Sequence, residues 1–197
     1  LSVDIGISSE LFPNPFGDCT EQQDYCLLSP HGASREDQNL EIGHVAFASL
    51  LNFIRNIPLP VGSEDSAGNN SVGAGEALFE NIGCISCHSN SYSTNDSQAN
   101  NNPYSDLLLH DMGEALADSL DNELSYEWRT PPLWGLSAYI DSQRSNEQEQ
   151  LYLHDGRARS LVEAILWHDG EARGSKQAFK ALSMQDRADL INFLQSI

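Results

Sequence analysis

Residues 83–90 read GCISCHSN, and the five in the middle, Cys84, Ile85, Ser86, Cys87 and His88, restrict this chain more than any other stretch. Two thiols three positions apart, followed at once by an imidazole, suit three chemistries: a redox dithiol, half of a zinc site, or the attachment point of a haem. A zinc site takes about four ligands, usually two Cys-x-x-Cys pairs or one pair plus two spaced histidines. The other two cysteines, Cys19 and Cys26, have the wrong spacing for this, and no suitably spaced His pair occurs. A thioredoxin-like dithiol belongs at a strand-to-helix junction of an α/β pattern, whereas the surroundings of Cys84 read as helical and loop-rich. Haem fits the spacing better. One helical turn places both sulfurs along one porphyrin edge, where they add to the vinyl groups, and His88 points under the ring toward the iron. The motif occurs once, so the expectation is one covalently held haem c.

Lys and Arg number 10 against 29 Asp and Glu, a formal charge of −19. That balance excludes nucleic acid and anionic membrane surfaces as partners and suits basic partners, divalent cations or a salty medium. No run approaches the roughly 18 apolar residues of a membrane span. The opening LSVDIGISSELFPNPF has neither the basic region nor the apolar region of a signal peptide. With no Met at position 1, a processed or trimmed chain is expected. Cys19 and Cys26, in GDCTEQQDYC, could close a small disulfide loop of the kind that persists in an oxidising compartment; the other reading is two free thiols. Covalent haem attachment takes place outside the cytoplasm, so the two expectations support each other and point to a periplasmic or extracellular bacterial protein.

The length, 197 residues, suits one domain with a real core. Residues 1–60 read as an amino-terminal extension and helix, and 61–197 as the haem-binding core. Helical spacing runs through 36–57, with Val45, Phe47, Leu50, Leu51 and Ile54 toward one side, and the PLP at 58–60 stops it. The Gly-, Ser- and Asn-rich 61–75 predicts an exposed loop before a short helix over 76–83, and 89–105 predicts a second polar loop. Ser160 with Glu163 forms a capping-box pattern ahead of an apolar face of Leu161, Ile165 and Leu166. Ser183 and Asp186 cap a last helix with Leu190, Ile191 and Leu194 inward. No strand shows sustained alternation. The expected class is mostly α, a cytochrome c-like haem domain with long irregular loops.

With CISCH identified, further segments fall into place: DIGISSELFPN, the C-x6-C loop, YSDLLLHDMGEALAD, EWRTPPLWGL, YLHDGRARSLVEAILWHDGEA and LINFLQSI. Together they resemble the carboxy-terminal half of the di-haem oxidoreductase family, also called thiol oxidoreductases, relatives of bacterial di-haem cytochrome c peroxidases and of MauG. The likeness covers nearly the whole chain, and the LHDGRA…EAILWHDGEA block is specific to that family rather than to cytochromes c in general. Those families carry a second CxxCH in an amino-terminal domain, which this sequence lacks. The resemblance therefore implies a single-haem fragment or a reduced member, with a redox protein or the missing haem domain as its partner.

In the related peroxidases the carboxy-terminal haem takes its second ligand from beyond the Y-x-H-x-G segment, where MauG has a Tyr. Laid on this sequence, that position is His168, which makes His88 and His168 the expected iron ligands, with Met112 of LLLHDMGEA as the alternative. Met112 otherwise fills space on the porphyrin face, and His110 and His154 read as satisfied polar residues. His31 and His44 have no supporting context. Arg129, Arg157 and Arg159 are the guanidinia available for haem propionates, unless they form surface ion pairs. Trp128, Trp134 and Trp167 read as pocket walls, Trp134 foremost, or as electron relays. Calcium, which the related peroxidases hold between domains, is possible, although no EF-hand pattern occurs. Two protein ligands leave iron no open position, so the expected function is electron transfer; the alternative is a peroxidase-type haem enzyme that reduces hydrogen peroxide or oxidises a substrate.

Overall fold

The computed structural model describes residues 7–17, 19–58, 70–90, 102–118 and 123–197. The chain divides into two compact units, Leu1–Leu59 and Pro60–Ile197. Among the described residues seven α-helices, four short 3-10 turns and one small sheet account for the regular structure, as a mostly α class requires. No helix among them is long and apolar enough to cross a membrane.

The first unit holds helices α1 (Asp24–Leu27) and α2 (His44–Arg55). Its loops are tied by one carboxylate: Glu41 accepts the backbone N–H of Ser8 at 2.9 Å and of Gly32 at 2.8 Å, and its own N–H donates to the Ser8 hydroxyl at 3.1 Å. The bonds from Ser8 and Gly32 hold the Glu41 carboxyl below its ordinary pKa. Cys19 and Cys26 lie side by side, their Cα atoms 5.8 Å apart. Helix α2 starts eight residues later than the periodicity predicts. Gln38 and Asn39 adopt φ of 61° and 63°, the left-handed region that no α-helix contains. Of the five apolar residues grouped toward one side, Phe47, Leu50 and Leu51 are half-buried, Val45 and Ile54 are exposed, and α2 has no buried residue.

The second unit is built on a close helix crossing. Helix α3 (Asn70–Asn81) packs on α7 (Met184–Leu194). At the crossing, a Cβ on Gly75 would stand 2.1 Å from the Asp189 carbonyl oxygen and 2.7 Å from Phe193 Cβ. Only glycine lets the two backbones approach this far. Phe79, Tyr104 and Phe193 form an aromatic cluster with ring centroids 5.4–6.0 Å apart, a separation that favours edge and tilted contacts. Ile140, Phe179 and Leu190 complete a core with almost no exposure. The buried Asp189 carboxylate accepts from Ser71 Oγ and from Gln185 Nε2.

The α3 helix corrects the reading of 70–75 as loop; residues 61–69 and 91–101 of the two predicted loops lie outside the described residues. Helix α5 (Leu161–Trp167) starts where the capping pattern places it, with Ser160 Oγ accepting the Glu163 N–H at 3.1 Å. Leu161 is buried, but Leu166 is 43% exposed, so it does not belong to the inward face. Ser183 caps α7 in the same way through the Asp186 N–H. Helices α4 (Leu136–Ser145) and α6 (Arg173–Ala181) have no counterpart in the sequence reading. The same holds for the antiparallel ladder of β1 (Leu109–Asp111) with β2 (Glu127–Arg129), which pairs His110 with Trp128. Three-residue strands are too short for alternation to register.

Candidate functional site

Helix α3 delivers the CISCH motif. After Asn81 the chain turns through Gly83 at φ +88°, the left-handed conformation glycine takes without strain. Cys84–Ser86 then form a single 3-10 turn. The His88 N–H donates to the Cys84 carbonyl at 2.9 Å, so both sulfurs and the imidazole leave one tight turn. Cys84 packs on the core, and burial pushes its thiol up to about 11. The Cys87 thiol is raised by burial and by the charges of Asp106 and Glu171. Cys84 and Cys87 are not bonded to each other. Protonated thiols are the opposite of a redox dithiol, which needs a depressed pKa to attack.

His88 is fixed by the segment that packs beneath it. Its Nδ1 lies 2.9 Å from the Tyr104 carbonyl oxygen. A carbonyl only accepts, so Nδ1 carries the proton and Nε2 carries the lone pair. Tyr104 turns that carbonyl inward by adopting φ of 52°, and Leu107 follows at φ 60°, two non-glycine residues in a region that costs each of order 1 kcal/mol or more. Such outliers persist where surrounding contacts over-determine them, and here the contacts are backbone bonds from Ser105 to Ser89 and from Asp106 to Cys87. Burial lowers the His88 pKa to about 4, against the Tyr104 bond and with a further contribution from neighbouring His168. The imidazole is therefore neutral at pH 7.

His168 repeats this arrangement from another element. It is the C-cap of α5, with ψ of 132°, and its Nδ1 donates to the Ala164 carbonyl at 2.7 Å. This satisfies a carbonyl that the helix end leaves without an intrahelical partner. Burial again lowers its pKa. Neither His88 nor His168 has a hydrogen-bond partner at Nε2 among the described residues, and no buried side-chain nitrogen or oxygen there lacks one. Both Nε2 lone pairs thus open onto accessible space. Two neutral imidazoles, each oriented through Nδ1 by a carbonyl, are the donors a metal takes.

His110 differs in kind. Its Nδ1 lies 2.8 Å from Glu171 Oε2 and its Nε2 2.8 Å from Asp106 Oδ2. The Glu171 bond foremost raises its pKa, and with a carboxylate acceptor against each nitrogen this imidazole turns neither lone pair toward a metal. Glu171 is lowered chiefly by the same bond. His110 is satisfied, as its sequence context suggests. His154 stacks flat on Trp128, with centroids 3.5 Å apart at 11°. The segment bearing Met112 packs against the turn after His168: a Cβ on Gly170 would lie 2.2 Å from the Asp111 carbonyl oxygen, and one on Gly113 would lie 3.0 Å from Asp169 Cβ. The two alternative ligands, His168 and Met112, therefore sit on adjoining segments. His44 pairs with Glu10 at 3.0 Å, and His31 stands edge-on to Phe16.

Arg157 has three protein partners. Its Nε meets Asp155 at 2.6 Å, an Nη donates to the Ala115 carbonyl, and the guanidinium lies 5.0 Å from the Trp167 ring centroid. Arg129 is exposed at the end of β2, and Trp134 is half-buried. Arg159 stands 3.9 Å from Glu149. Cys87, Asp106 and His110 have donor atoms within 4.8 Å of one another. One carboxylate, a thiol and a committed imidazole are unlike the six to eight oxygens calcium takes. The sequence reading missed Tyr104, Ala164, Asp106 and Glu171. The first two act through backbone carbonyls, which carry no residue-type signal, and Glu171 lies 61 positions from His110.

The model of the family described as di-haem oxidoreductase, putative peroxidase, matches residues 1–197. A structure of Kuenenia stuttgartiensis hydrazine synthase, pressurised with xenon, superposes with a TM-score of 0.56 at 21% identity. That match covers 81% of this chain and 57% of the other, and at this identity the likeness is one of fold. No curated protein matches the chain.

Proposed function

The chain belongs to the di-haem oxidoreductase family, a haem-dependent redox family, and from that premise we propose that it is a c-type electron-transfer domain, the carboxy-terminal part of a di-haem oxidoreductase. Cys84 and Cys87 would hold one haem through thioether bonds, with His88 and His168 as the iron ligands. The observation that carries this reading is the matched pair of imidazoles, each with Nδ1 on a carbonyl and Nε2 free. When bound, the haem supplies a one-electron iron couple, and a second imidazole keeps its potential below that of a Met-ligated haem. The protein's own part is to hold both rings neutral, to fix their tautomers, and to surround the site with the apolar packing of Phe79 and Tyr104. Exposed Arg129 and the remaining donors of Arg157 suit the propionates, and Trp134 suits the pocket wall.

Cys19 and Cys26, already adjacent, would form a disulfide in the periplasm or another oxidising space. The partner is a second haem domain or a redox protein. Its contact surface is basic if it complements the charge of −19.

The family description favours one competing reading, a peroxidase with an open iron position. The spin state of the purified ferric protein separates them. Electron transfer with two protein ligands predicts a low-spin iron that does not react rapidly with hydrogen peroxide; a high-spin iron consumed by peroxide would establish the enzyme reading instead.

A further inference from the structure

His110 is an imidazole near the motif that the proposed ligand set does not use, and its bonds tie the stretch from Asp106 to Asp111 to Glu171. On one side Nε2 holds Asp106, whose backbone N–H donates to the Cys87 carbonyl at 2.8 Å. On the other side Nδ1 holds Glu171, three positions after His168. The second oxygen of Glu171 accepts the Asp111 N–H at 3.1 Å. The backbones beneath this bridge touch at Gly170 and Asp111 so closely that no side chain fits between them.

We infer that His110 is a positioning residue that locks the turn after His168 to the haem-attachment motif, so that His168 rather than Met112 is held toward the iron. Resting on the ligand set proposed above, this assigns the selection of the second ligand to a clamp outside the coordination sphere. The geometry explains why both nitrogens are needed. Loss of the Glu171 bond frees the turn bearing His168, and loss of the Asp106 bond leaves the ring free to turn away from Glu171. Met112, two residues from His110 on the same strand end, is then the nearest replacement in sequence.

The test uses the haem-loaded protein, reading the electron paramagnetic resonance signal and the reduction potential of His110→Phe, His110→Gln and Glu171→Ala beside wild type. His110→Phe keeps a flat ring and removes both bonds. It is expected to replace the wild-type low-spin signal with another and to raise the potential, because a thioether favours ferrous iron. His110→Gln keeps an N–H donor and retains most of the wild-type signal. Glu171 is largely exposed, so Glu171→Ala keeps the fold, cuts the clamp from its other end and moves both readouts as His110→Phe does. Wild-type signal and potential in folded Glu171→Ala overturn the inference, even if His110→Phe cannot be purified. His168→Ala separates the two layers. If it alters the signal while the clamp variants do not, only the clamp fails; if it leaves the signal unchanged, or wild type is high-spin, the ligand set fails and the clamp with it.

Discussion

Two places in the second unit are packed to backbone contact, and they are held by different forces. The crossing of α3 on α7 is apolar: Gly75 lies against Asp189 and Phe193, and Phe79, Phe193 and Tyr104 fill the space beside it. The cluster of residues 106–113 with 168–172 is polar: Gly170 lies against Asp111, and Asp106, His110 and Glu171 bridge the surface. Burial of apolar area is large and non-directional, so the first place supplies stability. Hydrogen bonds contribute little net energy but fix direction, so the second sets where the imidazole of His168 points. A redox site built this way separates the source of its stability from the source of its ligand geometry.

The largest effect that bears on this comparison comes from the crossing. Leu190→Ala, at a site on α7 with 0% exposure, is expected to cost about 2–5 kcal/mol. Denaturant unfolding measures it, and the folded fraction should keep the wild-type iron signal. A loss under about 1 kcal/mol would remove the crossing from its place as the main support.

Acid titration probes the ligand side. In the haem-free protein His88 has its pKa lowered to about 4, so the unfolded chain takes up this proton first as pH falls. Stability from this group is level above about pH 6.5, declines between 6.5 and 4, and is then lost by up to about 3 kcal/mol. His168 is shifted the same way. His110, raised, acts in reverse: it contributes at low pH, and its contribution is lost as pH rises through its folded value. The difference between wild type and His88→Gln, measured at pH 7.5 and pH 5, isolates the first effect. A difference that does not change with pH would mean that the ring is not buried neutral.

Gly170→Ala addresses the polar cluster directly. At φ +54° with the Asp111 carbonyl in the way, the substitution should cost about 1–3 kcal/mol and, unlike Leu190→Ala, alter the iron signal. The smallest effect is Ser183→Ala, which removes the cap of α7 for about 1 kcal/mol and leaves the signal unchanged. Should the cap variant shift the signal as much as Gly170→Ala, the separation of roles would be lost.

What the sequence made legible follows the same division. Helix caps are local patterns, and Ser160 and Ser183 are found where those patterns put them; the spacing within Cys84–His88 is local as well, and the stretch makes one tight turn. The start of α3 was hidden because Asn70, Ser71, Gly73 and Gly75 have the composition of a loop; Gly75 is there for α7, 114 residues away at Asp189, and packing overrides its poor helix propensity. The late start of α2 depends on two left-handed residues, Gln38 and Asn39, that periodicity cannot register. The His110 bridge and the carbonyls of Tyr104 and Ala164 were not legible at all. Each depends on where the backbone folds, not on which residue supplies it.

The most direct measurement is the electron paramagnetic resonance and absorption spectrum of the ferric, haem-loaded protein, wild type beside His168→Ala. The account predicts a low-spin signal of two imidazoles in wild type and its conversion to high-spin in His168→Ala. A low-spin signal untouched by the substitution would move the second ligand to Met112 and contradict the matched-imidazole site.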